Sequence, residues 1–179
     1  MKNILILSAS PRKGGNSDLL CDEFMRGALD AGNQVEKLCL CDYKINYCTG
    51  CGLCSEFGKP CPQADDMAMI LKKMIAADGL VMATPVYFYT MNAQMKTLID
   101  RACARYMEIS HKEFYYILAA AENDRALMTR TIEGFRGFTD CLEDPVEKGV
   151  IYGVGAWKKG EIKSMPVMRE AYEMGRKVL

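Results

Sequence analysis

Two hydrophobic rhythms alternate along the chain. Uninterrupted apolar runs at NILILS (3–8), GLVMATP (79–85), EFYYILAAA (113–121) and GVIYGVG (149–155) read as strands buried on both faces, and QVEKLCL (34–40) reads as a further strand. Between them the apolar positions recur at helical spacing. Ser17 is placed to cap a helix from about Asp18 to Ala31, with Leu20, Phe24 and Ala28 on one face and Gly32 at its end. Met67, Ile70, Leu71, Met74 and Ile75 form an apolar stripe after Asp65 and Asp66. Met95, Leu98, Ile99 and Ala102 do the same in a segment from Asn92 to about Met107. Further helices are expected near Asp124 to Leu142 and from about Pro166 onward, and strand three is expected to stop at Pro85. Five strands alternating with helices predict an α/β fold, a doubly wound parallel sheet with helices on both faces. With no repeat or linker, residues 1–179 are expected to form a single domain.

Charge and composition remove several function classes. Lys plus Arg and Asp plus Glu both number 23, so no basic field exists to recruit nucleic acid or an anionic membrane surface. No apolar run approaches the roughly 18 residues of a membrane span. The apolar stretch Ile4 to Leu7 is too short for a secretory signal, so a cytoplasmic protein is expected. Nine cysteines in a reducing compartment point to metal or redox chemistry rather than disulfides.

In open α/β sheets the ligand sits beyond the carboxyl ends of the strands, where the strand order switches. After strand one comes SASPRKGGNSDLL (8–20), with hydroxyls at Ser8, Ser10 and Ser17, an amide at Asn16, cations at Arg12 and Lys13, and Gly14 and Gly15 before a helix start. Unpaired N–H groups at a helix start suit a phosphate, although a polar strand-to-helix turn reads the same way. The loop is neither a dinucleotide-binding nor a P-loop fingerprint. After strand three, Pro85, Val86, Tyr87, Phe88 and Tyr89 make an aromatic turn suited to a flat ring or to a subunit contact.

The motifs S-x-S-P-R…N-S, A-T-P-V-Y-F and K-T-L-I-D-R follow one another between residue 1 and about residue 105. They resemble elements of the flavodoxin-like NAD(P)H-dependent FMN reductase superfamily, and within it the iron–sulfur flavoproteins are closest. GVGAWKKGEIKSMPVMREAY (153–172) agrees in pattern with weaker motifs. The resemblance implies the strand order 2-1-3-4-5 and bound FMN. By it Ser8, Ser10, Pro11, Arg12, Asn16 and Ser17 would form the phosphate loop. Pro85, Val86, Tyr87 and Phe88 would face the isoalloxazine and ribityl chain, and Ala121, Glu122 and Asn123 would add contacts after strand four. It further implies ferredoxin or NAD(P)H as electron donor, a small-molecule acceptor, and a homodimer or homotetramer. The aromatic turn and the helix ending in Asp100 and Arg101 are then the expected subunit contact.

Inserted after strand two is YCTGCGLCSEFGKPCP (47–62), in which Cys48, Cys51, Cys54 and Cys61 follow a C-x2-C-x2-C-x6-C spacing. Zinc sites usually pair two knuckles across a longer spacer, whereas two successive two-residue spacers are the ferredoxin pattern. Beside the resemblance, that spacing favours a [4Fe–4S] cluster on these four thiolates; zinc and a metal-free loop are the alternatives. Cys21, Cys103 and Cys141 fall in helical patterns and read as core; Cys39 and Cys41 end strand two near the loop and also read as ordinary residues, with a reserve-ligand role as the minor alternative. The only histidine, His111, lies between elements, and no acid–base pair is evident. The expected function is an FMN-dependent electron-transfer oxidoreductase. A cluster-free NAD(P)H-dependent FMN or quinone reductase and a cysteine-based metal or redox sensor are the rivals.

Overall fold

The computed structural model describes residues 1–179. Its long strands are β1 (Asn3–Ser8), β2 (Gln34–Cys39), β3 (Gly79–Tyr87), β5 (Glu113–Ala119) and β6 (Val146–Gly153), and a two-residue β4 (Thr90–Met91) pairs with the end of β3. The sheet order is β2-β1-β3-β5-β6 with every long pair parallel, which is 2-1-3-4-5 counted over the long strands, as expected. The helices are α1 (Asn16–Asp30), α2 (Met67–Ala76), α3 (Ala93–Ala102), α4 (Thr129–Thr139) and α5 (Val167–Arg176).

The apolar runs form strands because both faces of the sheet are covered. Leu5, Leu7, Leu80, Met82, Phe114, Tyr116 and Leu118 join the stripe residues of α2, α3 and α4 in one core. Ile4, Ile6, Val81, Tyr115, Ile117 and Ile151 alternate to the other face and pack on α1 and α5. Full burial of each large side chain stabilises the fold by roughly 1.5–3 kcal/mol. No helix is long and apolar enough to cross a membrane.

Three local expectations are corrected. Strand three does not stop at Pro85 but runs on to Tyr87, since the fixed φ of proline suits extended backbone. There Val86 pairs with Met91 and Tyr87 with Thr90 in a tight hairpin. Helix α1 begins at Asn16 with Gly15 as its cap, so Ser17 lies inside the first turn. Finally, α3 and α4 end at Ala102 and Thr139, before Cys103 and Cys141; both cysteines are exposed, and only Cys21 of the three is in the core.

Candidate functional site

A cleft of about 580 Å³ opens at the carboxyl ends of β1, β3 and β5, where the strand order switches. Ser10, Arg12, Gly15, Asn16 and Ser17 line one end, Pro85, Val86, Tyr87 and Phe88 one wall, and Ala121 and Glu122 another part of it. The structure therefore brings together most of the residues assigned from sequence. Ser8, Pro11 and Asn123 stand outside the lining.

Each residue at the phosphate end has a traceable partner. Ser10 Oγ donates to the Arg12 carbonyl at 2.8 Å and accepts from the Arg12 N–H at 3.2 Å, folding the loop tightly. A Cβ at position 15 would lie 2.6 Å from Ser10 Oγ and 2.9 Å from the Arg12 carbonyl, so only glycine fits there. Ser8 works from behind the loop, donating its hydroxyl to Asp18 at 2.8 Å. Asp18 also accepts from the Gly14 N–H at 2.9 Å and from Lys37 at 3.0 Å. Burial pushes the Asp18 carboxyl up, but these three donors outweigh it and hold it below the ordinary carboxylate range.

The donors left over lie at the start of α1, where Asn16 and Ser17 line the cleft. The backbone N–H groups of Asn16, Ser17 and Asp18 make no hydrogen bond within the chain, as expected for the first turn of a helix. Ser17 Oγ is buried and has no partner either, the one side-chain atom in the protein in that state. An orphaned buried hydroxyl costs about 1–3 kcal/mol, and three free amides beside it make a ready anion site. Arg12 and Lys159 add two exposed cations to the lining. This end of the cleft fits a phosphate group.

Asn16 has a different role from the one its residue type suggested. Its Nδ2 donates to the carbonyls of Ala156 and Lys158, both at 3.0 Å, and its Oδ1 accepts from the N–H groups of Gly160 and Ile162 at 3.0 and 3.4 Å. All of its side-chain polar capacity is spent on the segment after β6, which carries Ala156, Trp157 and Lys159 into the cleft lining. Those three residues, with Ala119 and Ala120, carry no signal in the sequence that assigns them to a site, whereas Gly15 and Tyr89 belong to the two loops already singled out.

The aromatic wall is strained. Phe88 and Tyr89 have φ of 49° and 63° at the two turn positions of the β3–β4 hairpin, where glycine or asparagine is usual. Phe88 is 99% exposed and Tyr87 and Tyr89 are 43% exposed. Behind the wall stands Asn92, unassigned from sequence, which caps α3, pairs with Thr84 and donates to the Ala9 carbonyl. It ties the start of the phosphate loop to the base of the aromatic turn.

The cysteine-rich loop leaves the sheet after β2 and returns at α2. Gly50 and Gly52 flank Cys51 with φ of 63° and 73°, left-handed turns that fold the run back on itself. Cys54 lies in a turn closed by the Glu56 N–H to the Gly52 carbonyl at 2.8 Å. Cys48 and Cys51 are exposed, and Cys54 and Cys61 half-buried. Cys103, at the end of α3, neighbours the loop; burial and the thiols of Cys54 and Cys48 push its own thiol up. The structure gathers no three of these side chains into a group that could hold a metal ion, so the fit of an iron–sulfur cluster rests on the chemistry of four soft thiol donors carried by one short loop. Arg101, expected at a subunit contact, is instead 3% exposed and bound within its own chain to Asp65, while Asp100 is exposed and paired with Lys96 at 2.6 Å.

Known proteins resemble this chain in sequence and in fold. An iron-sulfur flavoprotein from Methanocaldococcus jannaschii is 43% identical over 99 residues, 55% of this chain and 51% of that protein. Another, from Archaeoglobus fulgidus, is 44% identical over 101 residues, 56% of this chain and 45% of that protein. The chain thus aligns with about half the length of these curated relatives. Among solved structures, an NAD(P)H:quinone oxidoreductase from Methanothermobacter marburgensis superposes with a TM-score of 0.72 at 18% identity, covering 98% of this chain and 96% of its own, which supports the fold. The model of the NADPH-dependent FMN reductase family matches residues 2–131, and with the flavodoxin-like strand order and the cleft at its switch point the chain belongs to that family.

Proposed function

We propose that the protein is an FMN-dependent oxidoreductase that also holds a [4Fe–4S] cluster on Cys48, Cys51, Cys54 and Cys61. It would pass electrons between NAD(P)H or ferredoxin and a small-molecule acceptor. The observation that carries the flavin assignment is the unpartnered, buried Ser17 hydroxyl beside three free amides at the start of α1. A phosphate monoester supplies acceptors for all of them and charge for the helix dipole.

FMN when bound accepts a hydride or single electrons, and a cluster handles one electron at a time, so the pair suits conversion between two-electron and one-electron partners. The chain supplies the rest. Its α1 amides and Ser17 would anchor the phosphate, Arg12 and Lys159 would offset its charge, and Tyr87, Phe88 and Tyr89 would help to exclude water from the ring. No titratable side chain is poised as acid or base in the lining: Glu122 is exposed and unpaired. The cluster assignment is supported by the donor set and by the relatives named iron-sulfur flavoproteins. A homodimer or homotetramer that brings the cluster of one subunit near the flavin of another is part of the same reading, with Phe88 as its exposed apolar contact.

The test is anaerobic purification with assay of FMN, iron and acid-labile sulfide per chain, followed by reduction with NADH, NADPH and reduced ferredoxin in turn. One FMN with about four irons and four sulfides is expected. FMN without iron would leave the cluster-free reductase, and neither cofactor after reconstitution would leave the thiol-based sensor.

A further inference from the structure

The cysteine-rich loop is pinched at its base. The Asn46 N–H donates to Asp65 Oδ2 at 2.9 Å, the Lys44 N–H to Asp66 Oδ2 at 2.7 Å, and the Asp66 N–H back to the Lys44 carbonyl at 3.0 Å. Gln63 Nε2 adds a bond to the Tyr47 carbonyl at 3.0 Å. The chain thus leaves and re-enters the body through one narrow neck, and all four cysteines lie beyond it.

Helix α3 drives Arg101 into this neck. Its Nη1 donates to the Asn46 carbonyl at 2.7 Å and to Asp65 Oδ2 at 2.6 Å. Its Nη2 donates to Asp65 Oδ1 at 3.1 Å and to Cys61 Sγ at 3.5 Å. The Arg101 side chain is 3% exposed and that of Asp65 is 0% exposed. One planar fork therefore touches the outgoing strand of the neck, the returning strand, and the last cysteine. A lysine could supply the charge but not the three directions at once. Cys61 alone among the four loop thiols accepts a hydrogen bond from a cationic side chain.

We propose that Arg101 is the positioning residue of the cluster site: its fork clasps the neck, holds Cys61 by an N–H donated to its sulfur, and neutralises the buried Asp65 carboxylate beside that fourth ligand. The inference rests on the cluster reading given above. An iron–sulfur core on four thiolates carries net negative charge, which grows on reduction. An N–H donated to a ligand sulfur therefore favours the reduced form, and the guanidinium also offsets the buried Asp65 carboxylate, whose charge left alone would lower the potential. The neck itself does not depend on iron, so part of the role is visible in the apoprotein.

The experiment compares the parent with Arg101→Lys, Arg101→Met and Asp65→Asn. Each is reconstituted anaerobically and followed by iron release to a ferrous chelator, by redox titration of the cluster's paramagnetic signal, and as apoprotein by amide exchange at Asn46 and Asp66. Arg101→Met should release iron about 10–100-fold faster, as for other residues that orient metal ligands. It should also show a more negative potential and faster exchange at the neck. Arg101→Lys should recover most of the potential, through its charge, while its neck amides still exchange faster than the parent's. Parent-like release, potential and exchange in Arg101→Met would overturn the inference and leave the cluster standing. A parent that takes up no iron would overturn the cluster reading and this inference with it. If Arg101→Met does not fold, Arg101→Lys and Asp65→Asn decide: faster neck exchange and iron release support the clasp, and parent-like values in both refute it.

Discussion

The Asn16 side-chain amide donates to the carbonyl of Ala156 at 3.0 Å across 140 residues of sequence. Through this bond and its three companions the first turn of α1 fixes the segment that carries Trp157 and Lys159 over the cleft. Replacing Asn16 by Ala should therefore loosen residues 156–162 before it affects any direct ligand contact. Faster amide exchange at Gly160 and Ile162 in the apoprotein is expected, together with weaker FMN binding driven mainly by a faster off-rate. Loss of FMN affinity with no change in exchange would return Asn16 to the role of a direct phosphate ligand.

Ser17 offers a sharper separation, because stability and binding should move in opposite directions. Ser17→Ala removes an unpaired buried hydroxyl, so the apoprotein should gain about 1–3 kcal/mol. For a domain of this size that raises the melting temperature by roughly 2–4 °C per kcal/mol. The same change removes a donor to a charged group, so FMN should bind more weakly by about 1.5–3 kcal/mol. Calorimetric melting of the apoprotein and fluorescence titration with FMN read the two effects. A variant destabilised without FMN would show that the hydroxyl already has a partner in the free protein.

The Asp18 carboxyl lies below its ordinary value of 3.8, pushed up by burial but held down more strongly by the Gly14 amide, the Ser8 hydroxyl and Lys37. A depressed carboxylate pKa contributes stability that is present above the unfolded value and lost as pH falls through the folded one. Asp18→Asn should thus melt lower than the parent near neutral pH, by an amount corresponding to about 1.5–3 kcal/mol. The gap should narrow once pH falls below 3.8, where the parent loses the same contribution. Melting curves of both proteins between neutrality and that acid range are the check; a gap constant with pH would mean that packing, not charge, is lost.

How much of this was legible in the sequence depends on the distance over which each feature is determined. Strands such as NILILS declare themselves because burial on both faces demands an unbroken apolar run, and the strand order followed from the resemblance they supported. The β3–β4 hairpin was not legible, since Phe88 and Tyr89 occupy left-handed positions that sequence signals reserve for glycine and asparagine. Cys103 and Cys141 fit the helical stripe, but the helices stop one and two residues before them, and stop positions are weakly encoded. Asn16 was noticed for its amide and Arg101 as the end of an expected contact helix, yet their partners come from segments far along the chain. Residue type announces that a polar group needs partners; only the fold says which.

The two left-handed aromatics predict an unusual mutational response. A bulky residue at positive φ costs roughly 1–2 kcal/mol, a cost that glycine does not bear. Phe88→Gly should leave apoprotein stability unchanged or slightly improved despite the loss of a phenyl ring, because that ring is 99% exposed. If the ring covers flavin, the variant should alter bound-flavin fluorescence and shift the flavin potential, and Tyr87→Ala should do likewise. A change confined to oligomer size in gel filtration would instead assign the aromatic turn to a contact between copies of the chain.

The nine cysteines should divide by position in the fold rather than by residue type. Cys48, Cys51, Cys54 and Cys61 sit on one loop beyond one neck, so each Cys→Ser change there should lower reconstituted iron and sulfide, because a cluster that loses one thiolate is poorly retained. FMN should remain, since its lining comes from the strand ends of β1, β3 and β5 and not from the loop. Cys21 is fully buried and Cys141 is exposed just after α4, and both serine variants should keep full iron; Cys21→Ser should carry a packing and desolvation penalty of about 1–3 kcal/mol. Cys103 is the informative case. It neighbours Cys54 and Cys48 and offers a further thiol beside the loop. The double change Cys54→Ser with Cys103→Ser should therefore lose more iron than Cys54→Ser alone, while Cys103→Ser by itself retains the parent content. Iron, sulfide and FMN per chain, measured anaerobically after reconstitution, decide the matter. Equal iron in the single and double variants would exclude Cys103 as a substitute ligand, and undiminished iron in all four loop variants would remove the cluster from the loop.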